Sequence, residues 1–328
     1  SEGFEPLRHL IFKKLSEKNC ASNNDEVLIT SGATQIMELL TKTLCNEGDV
    51  VICENPSFIG SLNCFRSMGC KLTGIPLEND GINLDVLEKT LQSTENAKFI
   101  YTIPNFQNPS GCTLSLKKRQ MLYELAKKYG VIILEDNPYG NLRVKGDEVP
   151  PIKSFDRDGL VVYAGSFSKI LSPGIRVGYV CAPKEIISKM TVFKQAEDVH
   201  TPMLCQLLVY RWLTETDYKS HIEKNKSLYR KKLELMCDLA EQKLSDYLDF
   251  IRPDGGMFVW CKLKNGIDMQ NFVKKALENG VAVVPGTAFL TDKTEHTNSF
   301  RMNFTTPSDE QIIKVIDILE KVLKELNR

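Results

Sequence analysis

The sequence predicts an α/β fold: a large domain on a mainly parallel seven-stranded sheet between helices, then a smaller α+β domain at the C-terminal end. Between Glu26 and Ala182, short runs rich in Val and Ile alternate with longer stretches of helical periodicity, the pattern of a sheet covered on both faces. After Pro183 the texture changes to long helices and a few strands, and 328 residues leave room for two domains. The expected division is residues 1–205 for the large domain and 206–328 for the small domain with its connecting helix.

In chain order, EPLRHLIFKKL comes first and puts Leu7, Leu10, Ile11 and Leu15 on one helical face before CASNND ends it. The seven expected strands are EVLIT, DVVICE, CKLTGIP, KFIYTI, GVIILED, LVVYAGS and RVGYVCA. Helical stretches such as ATQIMELLTKTL and LKKRQMLYELAKKYG separate most of them. Only FSKILSPGI joins the last two, too short for a parallel crossover, so the seventh strand is expected to run antiparallel. Helical periodicity then holds from about Lys184 to Ser245. DFIRP, GMFVWCKL, VAVVPG and SFRMNFT read as strands of the small domain, and EQIIKVIDILEKVLKEL as a final helix.

Forty-two Lys and Arg balance forty-two Asp and Glu, so there is no charge excess to draw in a nucleic acid or an anionic membrane. No apolar run approaches the roughly 18–20 residues of a membrane span, and residue 1 opens no basic-then-apolar leader pattern. The ten cysteines never form C-x-x-C, and several sit inside apolar runs, as reduced thiols of an intracellular protein do. The four histidines are scattered, which argues against a catalytic metal. A soluble, cytoplasmic protein is expected.

Ligands of open α/β sheets collect at the carboxyl ends of strands, so the polar residues closing VLITSGATQ, FIYTIPNFQNPSG, VIILEDNPYG and VVYAGSFSK carry the interest. G-x-G-x-x-G, G-x-x-x-x-G-K-[ST] and G-x-S-x-G are all missing, which removes most of the case for dinucleotide enzymes, P-loop NTPases and α/β-hydrolases. Taken singly, the remaining residues are bland. Lys169 reads as a loop lysine, Asp136 as a turn before Pro138, and Asn108-Pro109-Ser110-Gly111 as a turn. Ser31-Gly32-Ala33-Thr34 reads as a helix start, whose free N–H groups can also bind a phosphate.

Their order is not bland. TSGATQ, ENPSF, NPSG, EDNPY, SFSK followed by Arg176, PxGGMFxW, VxxVPGxxF and FRMNF resemble, in sequence, the fold-type I aminotransferases dependent on pyridoxal 5′-phosphate (PLP). Within that aspartate aminotransferase-like, class I/II group the chain looks most like the branch of 2-aminoadipate and kynurenine aminotransferases and MocR-type regulators. The resemblance runs from Gly3 through the C-terminal helix.

The resemblance implies a PLP enzyme that moves an amino group between an α-amino acid and a 2-oxo acid. Lys169 would carry the cofactor as a Schiff base and then shuttle the substrate proton, while Asp136 would hold the pyridine nitrogen protonated. Asn108 and Tyr139 would donate to the phenolic oxygen, and Phe58 would stack on the ring, though a core role for Phe58 carries comparable weight. Gly32, Ala33, Thr34, Ser166, Ser168 and Arg176 would receive the phosphate; relatives often have Ser or Gly at the Ala33 position. Arg301 would clamp the substrate carboxylate beside Asn108, a task that suits a planar guanidinium. Pro253, Gly255, Gly256, Met257, Phe258, Pro285, Gly286 and Phe289 match the family too, and are expected to shape the small domain and its hinge.

Relatives begin several tens of residues earlier with an arm over the active site, so a missing N-terminal region or a cut domain is expected. That leaves a second possibility, the amine-sensing domain of a MocR-type regulator, whose winged helix would precede Ser1. A third is a β-lyase or racemase on the same scaffold. The family's usual homodimer is the expected assembly, with amino acid and 2-oxo acid as the small-molecule partners and no metal.

Overall fold

The computed structural model describes residues 1–327. Helix α1 (Glu5–Ser16) buries Leu7, Ile11 and Leu15, the stripe its periodicity predicts, and leads into β1 (Asp25–Thr30). There follow α2 (Ala33–Leu44), β2 (Val50–Asn55), α3 (Ile59–Ser67), β3 (Lys71–Glu78), the two-residue β4 (Gly81–Ile82), α4 (Leu84–Ser93) and β5 (Ala97–Thr102). Next come α5 (Leu116–Tyr129), β6 (Ile132–Asp136), β7 (Val161–Ser166) and β8 (Gly178–Pro183). Helix ends follow local chemistry. Ser115 caps α5 by accepting from Lys118 N–H, and Gly130 ends it in the left-handed conformation.

The sheet order is β1-β8-β7-β6-β5-β2-β3-β4. Strands β3, β2, β5, β6 and β7 pair in parallel, whereas β8 runs antiparallel to both β7 and β1. All seven expected strands are present, and the seventh is antiparallel because residues 167–177 make a tight connection with no crossover helix. The eighth strand, β4, is a hairpin return too short to leave a hydrophobic pattern; it pairs Leu77–Glu78 with Gly81–Ile82.

Beyond β8 run α6 (Lys184–Glu197), α7 (Met203–Glu215) and the long α8 (Tyr218–Leu244). The small unit holds β9 (Leu248–Phe250), β10 (Phe258–Leu263), α9 (Met269–Glu278), β11 (Val284–Pro285), β12 (Ser299–Asn303) and α10 (Asp309–Leu326), with sheet order β11-β12-β10-β9. Of the expected strand VAVVPG only Val284 and Pro285 pair, since Gly280 turns the chain at φ +82° and Pro285 has no N–H to extend the ladder. Helix α10 starts with a capping box between Ser308 and Gln311.

Val209 of α7 packs into the first core, while the second core gathers Leu233 and later residues around β10, β12, α9 and α10. We therefore propose that the division lies within α8 rather than at residues 205/206: α7 still sends Val209 into the core of the large unit and packs Tyr210, Trp212 and Leu213 against it. Asn55, Ser57 and Arg66 bond the Phe289–Thr291 segment and bring the small unit against the carboxyl end of β2. Among the described residues no helix is long and apolar enough to cross a membrane.

Candidate active site

At the carboxyl ends of β1, β6 and β7, a cleft is closed from the other side by β10 and β12. Its lining contains Ala33, Thr34, Phe58, Asn108, Asp136, Tyr139, Ser166, Ser168, Lys169, Arg176 and Arg301. Gly32 adjoins it as the residue before α2.

Asp136 ends β6 and is almost wholly buried. Tyr101 Oη donates to its Oδ2 at 2.9 Å, and Ser61 Oγ lies 2.9 Å from Tyr101 Oη. Its other oxygen, Oδ1, is buried with no hydrogen-bond partner. Burial pushes the carboxyl up to about 7, with the Tyr101 hydrogen bond pulling the other way. A cationic N–H donor placed at Oδ1 would reverse that shift.

Lys169 sits in the single turn after β7, where Leu171 N–H donates to Phe167 O at 2.9 Å and buried Phe167 and Ile170 pin the turn. Among the described residues its amine has no hydrogen-bond or ion-pair partner. Burial, then Arg176 and Arg301, lower its pKa and favour the neutral, nucleophilic amine.

The cup beside it is built from backbone. Gly32 has φ +87°, and a Cβ there would lie 2.0 Å from Arg176 Nη2, so only glycine lets the guanidinium approach. Arg176 donates to Ser168 Oγ at 3.2 Å and to Ser31 O at 3.4 Å, and Ser166 Oγ accepts from Ser168 N–H at 3.2 Å. Gly32 gives α2 no side-chain cap, leaving the N–H groups of its first turn to face the cup. Ser31 is tied from behind: its hydroxyl donates to Asp198 at 2.7 Å, and Asp198 also receives the Lys194 amine.

Arg301 reaches the cleft from β12, where strand alternation turns Phe300 and Met302 into the small core and the arginine away from it. Its guanidinium carbon lies 4.0 Å from the Phe258 ring centre and 4.9 Å from that of Phe289. Nη1 donates to Asn108 Oδ1 at 2.7 Å, and Asn108 Nδ2 lies 3.5 Å from Tyr139 Oη. Burial lowers the pKa of Arg301 and raises that of Tyr139. The guanidinium is thus held by faces and one corner, with edges open to a carboxylate.

The cleft brings together every residue that the sequence singled out for it. The structure adds Tyr101 and Ser61, and gives Phe258 and Phe289 a contact with the site. Tyr101 and Ser61 support Asp136 although Tyr101 reads as an ordinary residue of a strand run. Phe258 and Phe289 flank Arg301, and Phe258 also packs edge-on against Tyr139, so they touch the site as well as shape the small unit. Among the described residues no group of three or more His, Cys, Asp or Glu is placed to hold a metal ion.

The sequence model of the family described as "Aminotransferase class I and II" matches residues 1–319. The chain is 37% identical to aromatic-amino-acid aminotransferase 1 of Thermococcus litoralis, over 99% of this chain and 79% of that protein. It is 34% identical to 2-aminoadipate transaminase of Thermus thermophilus, over 99% of this chain and 81% of that protein. Among solved structures, the Pyrococcus horikoshii kynurenine aminotransferase in complex with PMP superposes with a TM-score of 0.95 at 35% identity, covering 99% of this chain and 81% of that one.

Proposed function

The chain belongs to the class I and II aminotransferases, and from that membership we propose that Lys169, Asp136, Tyr139, Asn108 and Arg301 carry its reaction. It is a fold-type I enzyme that uses PLP to move an amino group between an α-amino acid and a 2-oxo acid. The observation that carries the site assignment is that Lys169 from the turn after β7, Asp136 from β6 and Arg301 from β12 line one cleft.

The residues fit the cofactor. The bare Oδ1 of Asp136 needs a buried donor, which a protonated pyridine nitrogen is, and the glycine-made cup under α2 suits a phosphate. Bound there, PLP supplies a carbonyl for the amino group and a ring that accepts the electrons left at Cα. Asp136 holds the ring proton, and Tyr101 and Ser61 fix the carboxylate's orientation. Asn108 and Tyr139 would offer donors to the cofactor's phenolic oxygen, and Phe58 would pack against its ring. Gly32, Ala33 and Thr34 present backbone N–H groups to the phosphate, with Ser166, Ser168 and Arg176 closing around it. Lys169, with its lowered pKa, takes the Cα proton and returns it on the other side of the exchange. Arg301 orients the substrate by its α-carboxylate, its flat faces occupied by Phe258 and Phe289.

Aromatic amino acids and 2-aminoadipate are the proposed donors, supported by the activities named for the relatives in Thermococcus litoralis and Thermus thermophilus. The proposed assembly is a homodimer. Val192, Phe193, Val199, Met203, Leu204, Leu207 and Leu208 stand exposed along α6, α7 and their connection, which also carries Asp198 and its bond to the cup. The ten unpaired cysteines support a reducing, cytoplasmic setting. Sedimentation equilibrium of the wild type against Leu204→Glu/Leu208→Glu tests the dimer: the wild type should run as a dimer and the variant as a monomer. Titrating the PLP-loaded protein with aromatic amino acids and 2-aminoadipate, then with 2-oxoglutarate, tests the reaction. Obligatory use of the oxo acid separates transamination from β-elimination and from effector sensing.

A further inference from the structure

Glu54 is the last residue but one of β2 and is buried beside, but outside, the site described above. Its carboxylate accepts from Thr102 Oγ1 at 2.5 Å, from Ile103 N–H at 3.2 Å and from Gln107 Nε2 at 3.0 Å. The first two donors mark the point where β5 leaves the sheet and the Ile103 N–H loses its ladder partner.

Gln107 spends the rest of its amide on the turn that follows. Its Nε2 also donates to Pro56 O at 2.8 Å, while its Oε1 accepts from Ser110 N–H and Ser110 Oγ at 2.9 and 2.7 Å. Gly111 N–H donates to Gln107 O at 2.6 Å. The residue enclosed by these bonds is Asn108, and Asn108 Oδ1 is the hydrogen-bond partner that holds Arg301. A buried carboxylate is costly unless it does something for its donors, and here all three lie on the segment that presents Asn108.

We infer that Glu54 is a positioning residue for the carboxylate clamp: through Gln107 it fixes the 107–111 turn, and so the place where Asn108 holds the Arg301 guanidinium. The inference rests on the reading of Arg301 as the substrate-carboxylate site. It assigns Glu54 no contact with substrate or cofactor.

The test is direct binding of 3-phenylpropanoate, a carboxylate with no amino group to exchange, followed by absorbance of the PLP-loaded protein. Glu54→Met and Gln107→Met should each raise its Kd about five- to tenfold, the loss of one hydrogen-bonded link. Their PLP affinity should fall far less than their affinity for the carboxylate, because Lys169, Asp136 and the Arg176 cup line the cleft independently of the 107–111 turn. Glu54→Gln keeps an acceptor toward Gln107 and should restore most of the binding. Arg301→Ala is the control and should abolish it. If Arg301→Ala abolishes binding while Glu54→Met and Gln107→Met leave Kd unchanged, the inference is overturned and the clamp stands. If Arg301→Ala binds normally, the clamp reading itself fails and takes the inference with it. Should Glu54→Met not fold, Gln107→Met cuts the same link from its other end, and an unchanged Kd there is equally contrary.

Discussion

The Tyr101 hydroxyl donates to Oδ2 of Asp136 at 2.9 Å and leaves Oδ1 buried and bare. The aspartate is therefore oriented before any ligand arrives: one oxygen is spent on the protein, and the other stays free for the cofactor nitrogen we propose it meets. Tyr101→Phe removes the donor without emptying the space. It should lower kcat about tenfold or more, as expected for a lost hydrogen bond to a charged group, roughly 1.5–3 kcal/mol, with PLP still bound. Steady-state kinetics beside a PLP titration check this, and an unchanged kcat would remove Tyr101 from the account.

Arg301→Ala should raise KM for α-amino acids about a hundredfold or more while the absorbance of the loaded cofactor stays in place, since the residue is assigned to the substrate and not to the ring. Arg301→Lys should recover little: a lysine amine cannot sit flat between Phe258 and Phe289 and also present two parallel donors. A variant whose kcat falls at constant KM would contradict the assignment.

Gly32→Ala places a methyl group on Arg176 and forces φ +87° on a residue that resists it. The expected result is a PLP Kd raised by about tenfold or more, with the far-ultraviolet circular dichroism unchanged. Fluorescence titration of the PLP-free protein measures it.

Asp136 also predicts a pH dependence of stability in the PLP-free protein. Its carboxyl is raised from 3.8 to about 7 on folding, chiefly by burial. The folded state then holds the proton more firmly than the unfolded one, so this contribution is present below pH about 4 and is lost as pH rises toward 7. The slope from this one group reaches about 1.4 kcal/mol per pH unit. Asp136→Asn should flatten urea-unfolding stability between pH 4.5 and 7 relative to the wild type; an identical slope in the two proteins would refute the shift.

Much of this was legible in the sequence because the fold places chemistry where patterns end. Each Val/Ile run between Glu26 and Ala182 became a strand, and Asp136 and Ser166 close theirs, with Lys169 one turn further on. Arg301 was legible only from its family motif, FRMNF. Tyr101 was not, because its value comes from β5 lying beside β6 and from α3 laying Ser61 over it, a packing relation no local pattern records. Phe258 and Phe289 read as domain-shaping residues, and their contact with Arg301 depends on three separate chain segments meeting. Glu54 was within reach: it is the polar residue that ends DVVICE, in the same place as the residues that close the four runs of the site.

We propose that this cleft runs both halves of an amino-group exchange on Lys169. The measurement is the visible absorbance of the PLP-loaded protein, titrated with one aromatic amino acid or 2-aminoadipate and then with 2-oxoglutarate. The amino acid should convert the cofactor to its aminated form, the oxo acid should restore the starting spectrum, and Lys169→Ala should do neither. A wild-type spectrum that shifts on adding the amino acid but releases no 2-oxo acid and never returns with 2-oxoglutarate would contradict it.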